Sequence, residues 1–317
     1  MKAILVPRPG GPESLVYGDA PDPIAGPGEE LVLVHAAGVN RADLLQAAGK
    51  YPPPPGASPI LGMEVAGELA ATGERVFALL AGGGYAEKVA VPSGLLMPIP
   101  HGLSFVDAAA IPEVFFTAYL NLFREGALAR GERLLVHAAA SGVGTAAVQL
   151  AKRAGAEVIG TTRSPAKCDA VRLLGADLAL YAGNGQFAER IEAHHGQQAI
   201  DLILDPVGGA NLEQNIRLLR LGGRLVLIAT MGGREASLDL GAVLSRRLRI
   251  IGSTLRSRPL SEKMELTHAF RTEVLPGFLD GALRPVIDSV FALSEAEAAH
   301  RRMAANENIG KIVLRVA

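Results

Sequence analysis

The small residues Ala138 to Gly144 stand between the apolar run Leu134-Leu135-Val136 and a stretch in which Ala146, Ala147, Leu150, Ala151 and Ala154 recur at helical spacing. Gly155 stops that helix, and Val158-Ile159 start a second strand. Strand, glycine turn, helix, strand is the first half of a dinucleotide-binding βαβ unit. Small residues let a pyrophosphate approach the backbone at a helix N-terminus, where free N–H groups and the positive dipole end stabilise its charge. Ser141, Gly142, Val143 and Gly144 are placed to hold it. A strict G-x-G-x-x-G is absent; the aligned residues are Ala139, Ser141 and Gly144. A tight strand-to-helix turn without a ligand uses the same small residues.

The second strand of such a unit ends near the adenosine ribose, where an NAD site often carries Asp or Glu for the 2′-hydroxyl. Here the strand ends Thr161-Thr162-Arg163-Ser164, with Lys167 a turn further on. An Arg fork and a Lys point charge suit a phosphate, and a carboxylate would repel one. Thr162, Arg163, Ser164 and Lys167 therefore favour NADPH. Ser164-Pro165 also reads as a helix N-cap and first helical position. Tyr181, at the end of the third strand, is positioned either to flank an adenine or to close the core edge.

The elements that must position these residues fall into two patterns. Residues 1 to about 100 read as short strands separated by Gly, Pro and acidic turns, which predicts a small antiparallel barrel. The loop YPPPPGASP at 51–59 interrupts it, stiffened by its prolines. SFVDAAAIPEVFFTAYLNLF then reads as helix broken by Pro112. From Leu134 to about 256, six apolar strands alternate with helices, which predicts a doubly wound parallel sheet. A long helix is expected over about 260–281. The strand VIDSVFAL, a helix at 294–304 and the strand KIVLRV are expected to rejoin the first domain. The expected domains are 1–118 with 256–317, and 119–255. The fold class is α/β.

Composition bounds the function. With 31 basic and 32 acidic residues, nothing argues for nucleic acid or an anionic membrane as partner. The single cysteine, Cys168, excludes an internal disulfide and a cysteine zinc cluster, and reads as an inert helix residue. His194-His195 read as a solvated helix face, and His35 and His137 as structural strand residues. No apolar run is long enough to span a membrane, and the first residues are too short for a signal peptide. A soluble, cytoplasmic protein is expected.

Several segments together resemble one family. AAGVNRADLLQAAGKYPPPPG (36–56), PILGMEVAGE (59–68), GGYAEKVAVP (83–92), AAIPEVFFTAY (109–119), HAAASGVGTAAVQLAK (137–152), DPVGG (205–209), GSTLRSRP (252–259) and NIGKIVL (308–314) cover most of the chain. They are similar to the zinc-independent NADPH:quinone oxidoreductases of the medium-chain dehydrogenase/reductase superfamily, and in particular to the stress-inducible group. The resemblance implies a discontinuous GroES-like β-barrel domain beside a Rossmann domain, with NADPH and acceptor in the cleft. Zinc relatives use Cys and His ligands; this chain has Val39-Asn40 and Met63 at those places and no four-cysteine lobe, so no metal is expected. The nicotinamide then carries the chemistry.

Asn40 and Tyr51 match residues placed at the acceptor in relatives, where an amide and a phenol can hydrogen-bond a quinone oxygen as charge develops. Asn40 also fits a turn, and Tyr51 a platform on the prolines. Leu45 stands where many bacterial relatives carry a second tyrosine. Met231 and the DPVGG loop match the nicotinamide side of the family's site. Asn308 and Lys311 match its C-terminal cofactor contacts, and Lys311 equally reads as a solvated strand-edge lysine. The apolar last Rossmann strand, LRIIGST, implies a homodimer by edge pairing. Three functions fit: an NADPH:quinone reductase, a reductase of activated double bonds in enals or enones, and an NADPH-binding sensor or structural protein with little turnover.

Overall fold

The computed structural model describes residues 1–183 and 185–316. It divides into two compact units: Met1–Phe116 with the chain from Leu255 onward, and Thr117–Thr254. The first begins with β1 (Lys2–Leu5) and β2 (Val16–Asp19), an antiparallel pair. Then come β3 (Glu29–Val39), α1 (Arg41–Ala47), β4 (Glu64–Leu69), β5 (Arg75–Leu79), β6 (Lys88–Pro92), β7 (Leu96–Pro98) and α2 (Phe105–Ala109). Helix α3 (Pro112–Tyr119) carries the chain into the second unit. That unit alternates β8 (Arg133–Val136), α4 (Gly142–Arg153), β9 (Glu157–Thr162), α5 (Pro165–Leu173), β10 (Leu178–Tyr181), α6 (Ala188–His195), β11 (Ile200–Asp205), α7 (Leu212–Leu218), β12 (Leu219–Leu227), α8 (Leu240–Ser245) and β13 (Arg249–Gly252). The return adds α9 (Leu260–Glu273), α10 (Pro276–Leu279), β14 (Ile287–Ala292), α11 (Ala296–Ala305) and β15 (Lys311–Arg315).

The second unit's sheet has the order β10-β9-β8-β11-β12-β13, and its ladders are parallel. This is the doubly wound order in which the strand sequence reverses beside the first strand, and ligands bind outside the C-terminal strand ends there. Leu135, Ile159 and Ile203 on the central strands are fully buried, as a sheet covered on both faces requires. β13 lies at the edge, as expected.

The first unit carries a larger sheet, β14-β15-β3-β4-β5-β7, with β6 also pairing β3. Its ladders are antiparallel except for β14 with β15. β3 is eleven residues long and pairs with three strands. It thus sets the register in which β15 and β4 meet.

Three details depart from the sequence reading. The expected helix over 260–281 is broken between Glu273 and Pro276, because proline has no N–H to donate and its ring crowds the preceding turn. His195 is not on a solvated face: its side chain is 13% exposed and its Nδ1 lies 3.4 Å from Glu157. His137 sits just beyond β8 rather than on it, and is buried.

Candidate functional site

The glycine turn is built by capping and close approach. Ser141 is the N-cap of α4, and its Oγ accepts from the Gly144 N–H at 3.1 Å. Such a cap is worth about 1 kcal/mol. The remaining first-turn amides, at Gly142 and Val143, have no partner within the helix by its geometry. A side chain at Gly144 would collide with the Ala138 carbonyl oxygen and come within 2.6 Å of the Ala139 backbone. Ala138 itself takes a left-handed conformation, φ 50°. The turn is therefore pressed against the end of β8, and only a bare Cα fits at Gly144.

The other cofactor candidates of this unit gather at the same end of the sheet, after the C-terminal ends of successive parallel strands. Thr162 ends β9, buried, with its hydroxyl donating to the Ser164 carbonyl at 2.9 Å. Ser164 caps α5 by accepting from Lys167 N–H, so it does serve as a helix cap. Arg163 is exposed beside them. Tyr181 ends β10, 39% exposed. Met231, exposed in the loop after β12, is tied to the DPVGG loop by its N–H to the Pro206 carbonyl, 3.2 Å.

A buried polar chain joins these loops from beneath. His137 Nε2 pairs with Asn215 Oδ1 at 2.7 Å, and its Nδ1 with the Thr161 hydroxyl at 2.8 Å. Asn215 Nδ2 donates to Asp205 Oδ2, while Asp205 Oδ1 accepts from the Val207 and Gly208 amides. Since Asn215 Oδ1 accepts, Nε2 carries the imidazole proton and Nδ1 accepts from Thr161. Burial holds the His137 pKa down, so the ring is neutral.

The first unit holds a second constellation. Lys311 is 2% exposed, and its ammonium donates to Val39 O at 2.8 Å and to Asn40 Oδ1 and Glu64 Oε1 at 2.6 Å each. Glu64, fully buried, also accepts from Asn40 Nδ2 and, on Oε2, from the Glu113 backbone N–H, both at 2.8 Å. Two sequence expectations need correction here. Lys311 is no solvated strand-edge residue, and all three of its N–H donors are committed inside the unit, which leaves none for a cofactor. The Asn40 amide nitrogen likewise donates to Glu64 Oε1 and, at 3.4 Å, to Gly38 O, so Asn40 positions its neighbours instead of offering N–H to an acceptor. Asn308, buried nearby in sequence, donates to Gly310 O at 2.8 Å.

Asp43, three residues after Asn40, completes a capping box by accepting the Asn40 N–H. It also accepts from Gly62 N–H and from the Tyr85 hydroxyl. Burial raises Asp43 to about 6, against these hydrogen bonds and the Lys311 charge. Tyr85 spends its only proton on Asp43, so His300 Nε2, at 3.3 Å, must donate to the phenol oxygen. His300 Nδ1 is then a buried acceptor without a partner. Burial lowers this imidazole to about 4. Its folded pKa lies below the unfolded value of about 6.5, so its contribution to stability is intact above about 6.5 and is lost as pH falls through 4. Compared with His300→Phe, the wild type is expected to lose about 3 kcal/mol between pH 7 and pH 4. Urea unfolding of the pair at several pH values checks this, and parallel stability curves would refute it.

Tyr51 is half-buried, and the Arg256 guanidinium lies 5.3 Å from its ring centre. Arg256, 4% exposed, donates from Nε to Ala81 O and from Nη2 to Gln46 Oε1. Sequence reasoning missed Glu64, Asp43, Tyr85, Glu113, Arg256 and His300. For Glu64 and Glu113 the available signal was a charged residue inside an otherwise apolar run, as in GMEVAG and IPEVFF. Among the described residues, no group of three His, Cys, Asp or Glu side chains is arranged to hold a metal ion.

The chain is similar to known proteins. Residues 26–101 match the alcohol dehydrogenase GroES-like domain, and 142–271 match the zinc-binding dehydrogenase family. The chain is 37% identical to the spectinabilin polyketide synthase system protein NorB of Streptomyces orinoci over 98% of its own length, but spans only 14% of that protein. It is 30% identical to the quinone oxidoreductase of Homo sapiens, covering 99% of this chain and 97% of the relative. Among solved structures it is similar to the quinone oxidoreductase from Thermus thermophilus, described also in complex with NADPH, at 39% identity, full coverage of both chains and a TM-score of 0.85.

Proposed function

The chain belongs to the medium-chain dehydrogenase/reductase superfamily, among its quinone oxidoreductase-like proteins, and from that premise we propose that it uses NADPH to reduce quinones without zinc. The observation that supports the reading is the turn at Gly144, which leaves no room for a side chain, at a helix start whose free amides suit a pyrophosphate. Bound there, NADPH would supply a hydride from its nicotinamide. The protein's part is to hold and orient. Ser141 to Gly144 take the pyrophosphate, Arg163, Ser164 and Lys167 the 2′-phosphate, Thr162 and Tyr181 the adenosine surroundings, and Met231 the nicotinamide side. Tyr51 offers its phenol to the acceptor. Asn308 is a further contact for the ribose or a phosphate.

The residues do not fit a catalytic zinc. Val39-Asn40 and Met63 bring neither the thiolate nor the imidazole that zinc takes, and the buried Glu64 carboxylate beside them is already paired with the Lys311 ammonium. The edge of β13 is where a second copy would pair to form a homodimer.

A panel of para-quinones, ortho-quinones, enals and no acceptor, followed by NADPH oxidation, tests the reaction. Quinone turnover is expected. Turnover of enals alone would replace quinones as the substrate, and tight NADPH binding with no turnover would favour a sensor. Arg163→Ala and Lys167→Ala are each expected to weaken NADPH about tenfold (about 1.4 kcal/mol) while leaving NADH within twofold. Equal losses for both nucleotides would refute the phosphate assignment.

A further inference from the structure

Glu113 is the one charged residue on α3, whose neighbours Val114, Phe115, Phe116, Ala118 and Tyr119 are buried. Its backbone N–H is fixed on Glu64 Oε2 at 2.8 Å, which anchors the residue beside the Lys311–Glu64–Asn40 group. Its carboxyl, however, has no hydrogen bond and no ion pair among the described residues. It remains partly open to solvent. The charged groups around it come from three other elements and one connecting segment: Glu64 of β4, Asp43 of α1, Lys311 of β15, and Arg256 after β13. Tyr51 and Lys263 of α9 feel its charge in turn.

Arg256 adds an independent observation. Two of its guanidinium nitrogens are engaged, but Nη1 is buried without any partner. Its carbonyl oxygen accepts from Lys263 Nζ at 2.9 Å, so a second buried cation stands close by. A buried guanidinium N–H left unmade is costly unless something charged or polar comes to it. Over the Tyr51 ring there is thus a cation with one buried N–H unmade, and the Glu113 carboxyl, without a hydrogen bond of its own, is near enough for its charge to act on both Tyr51 and Arg256. Burial and the Glu64 charge push the Glu113 carboxyl up to about 8, so it carries its proton at neutral pH.

We propose that Glu113 is the proton donor of the reduction, and that Arg256 stabilises the carboxylate left behind. The proposal rests on the reading that an electron-poor acceptor is reduced here. Hydride addition brings two electrons to a neutral quinone and leaves an anion. The Glu113 O–H bond breaks, its electron pair stays on the carboxylate, and an O–H bond forms at the acceptor oxygen. Solvent returns a proton to Glu113. The sum is acceptor plus hydride plus proton. Tyr51, whose own pKa is raised by burial and by Glu113, keeps its proton throughout and serves as a hydrogen-bond donor.

The test uses Glu113→Gln, which retains the backbone N–H to Glu64. In the wild-type protein without acceptor, infrared titration should show a protonated-carboxyl band that disappears around pH 8 and is missing in the variant. At saturating NADPH, wild-type kcat on a neutral para-quinone should fall as pH rises through about 8. Glu113→Gln should be at least tenfold slower at pH 7, flat over that range, and unchanged within twofold in NADPH affinity. Arg256→Met should move the wild-type limb to higher pH, because removing a cation raises a neighbouring carboxyl. A retained limb in Glu113→Gln, a rate within threefold of wild type, or no carboxyl titration near pH 8 would each overturn the assignment. If the wild type reduces no acceptor, the functional reading fails and the proposal with it. Turnover that ignores Glu113→Gln removes the proposal alone.

Discussion

Lys311→Met is expected to destabilise the fold by about 3–5 kcal/mol, the range for breaking a buried ion pair from one side. The size follows from what stays behind. Glu64 is fully buried, and Lys311 is the only cation within ion-pair distance of it among the described residues. With methionine in place, Glu64 keeps two amide donors, from Asn40 and the Glu113 backbone, but no neutralising charge. It must then stay ionised in a poor medium or take up a proton. Asn40 Oδ1 and Val39 O lose their donor as well. Adding Glu64→Gln to Lys311→Met removes the stranded charge and should recover more than half of the loss. Urea unfolding of the single and double variants measures both quantities. A single-variant loss below about 1.5 kcal/mol, or a double variant no better than the single, would mean that the pair is not the keystone of its unit.

That pair shows where reading a sequence stops. The second unit was legible because its signals are local. A strand, a small-residue turn and a capped helix follow one another within thirty residues, and repetition of that unit dictates a parallel sheet. Ser164 could be picked as an N-cap for the same reason, since a cap bonds only three residues ahead. The first unit's charged cluster is built from residues that lie far apart along the chain: Glu64 is 24 positions from Asn40, 49 from Glu113 and 247 from Lys311. No periodicity links them. Sheet register does: Ile312 pairs with Val39, and Ala37 pairs with Val65, which brings Lys311, Asn40 and Glu64 to one end of three strands. Gly38 lies between them with no side chain, and the Glu64 carboxyl occupies the space a Cβ there would need. Motif matching identified Asn40 and Lys311 as important but assigned them outward, toward acceptor and cofactor. Their hydrogen bonds turn them inward, so their effect on chemistry runs through Glu64 and the backbone of Glu113.

The same local–distant contrast sets the expectation for the cofactor turn. Gly144→Val should weaken NADPH at least 100-fold, about 2.7 kcal/mol, while the sheet beneath it survives. The new side chain would meet backbone atoms of Ala138 and Ala139, which cannot rotate aside. Nor can the turn retreat. Ala139 N–H is bonded to Thr161 O at 2.9 Å, Ser141 N–H to Ala138 O at 2.8 Å, and a side chain at Gly160 would already press within 2.8 Å of Ala139 Cβ. The strain must therefore be released by lifting the start of α4 away from β8. Overpacking of this kind costs about 1–3 kcal/mol in the fold. It also displaces the first-turn amides, whose hydrogen bonds to a charged group are worth about 1.5–3 kcal/mol each. Losing one or two of them accounts for the 100-fold. Titration of NADPH fluorescence gives the affinity, and thermal unfolding of the free protein gives the strain. Should affinity fall less than tenfold, the pyrophosphate does not sit on the Ser141–Gly144 amides, and the helix end is a packing device only. Should the free protein fail to fold, Gly144→Ala, which brings the same Cβ to the Ala138 carbonyl but no γ-methyl groups, separates the two effects: its affinity loss should still exceed tenfold while its unfolding transition remains cooperative.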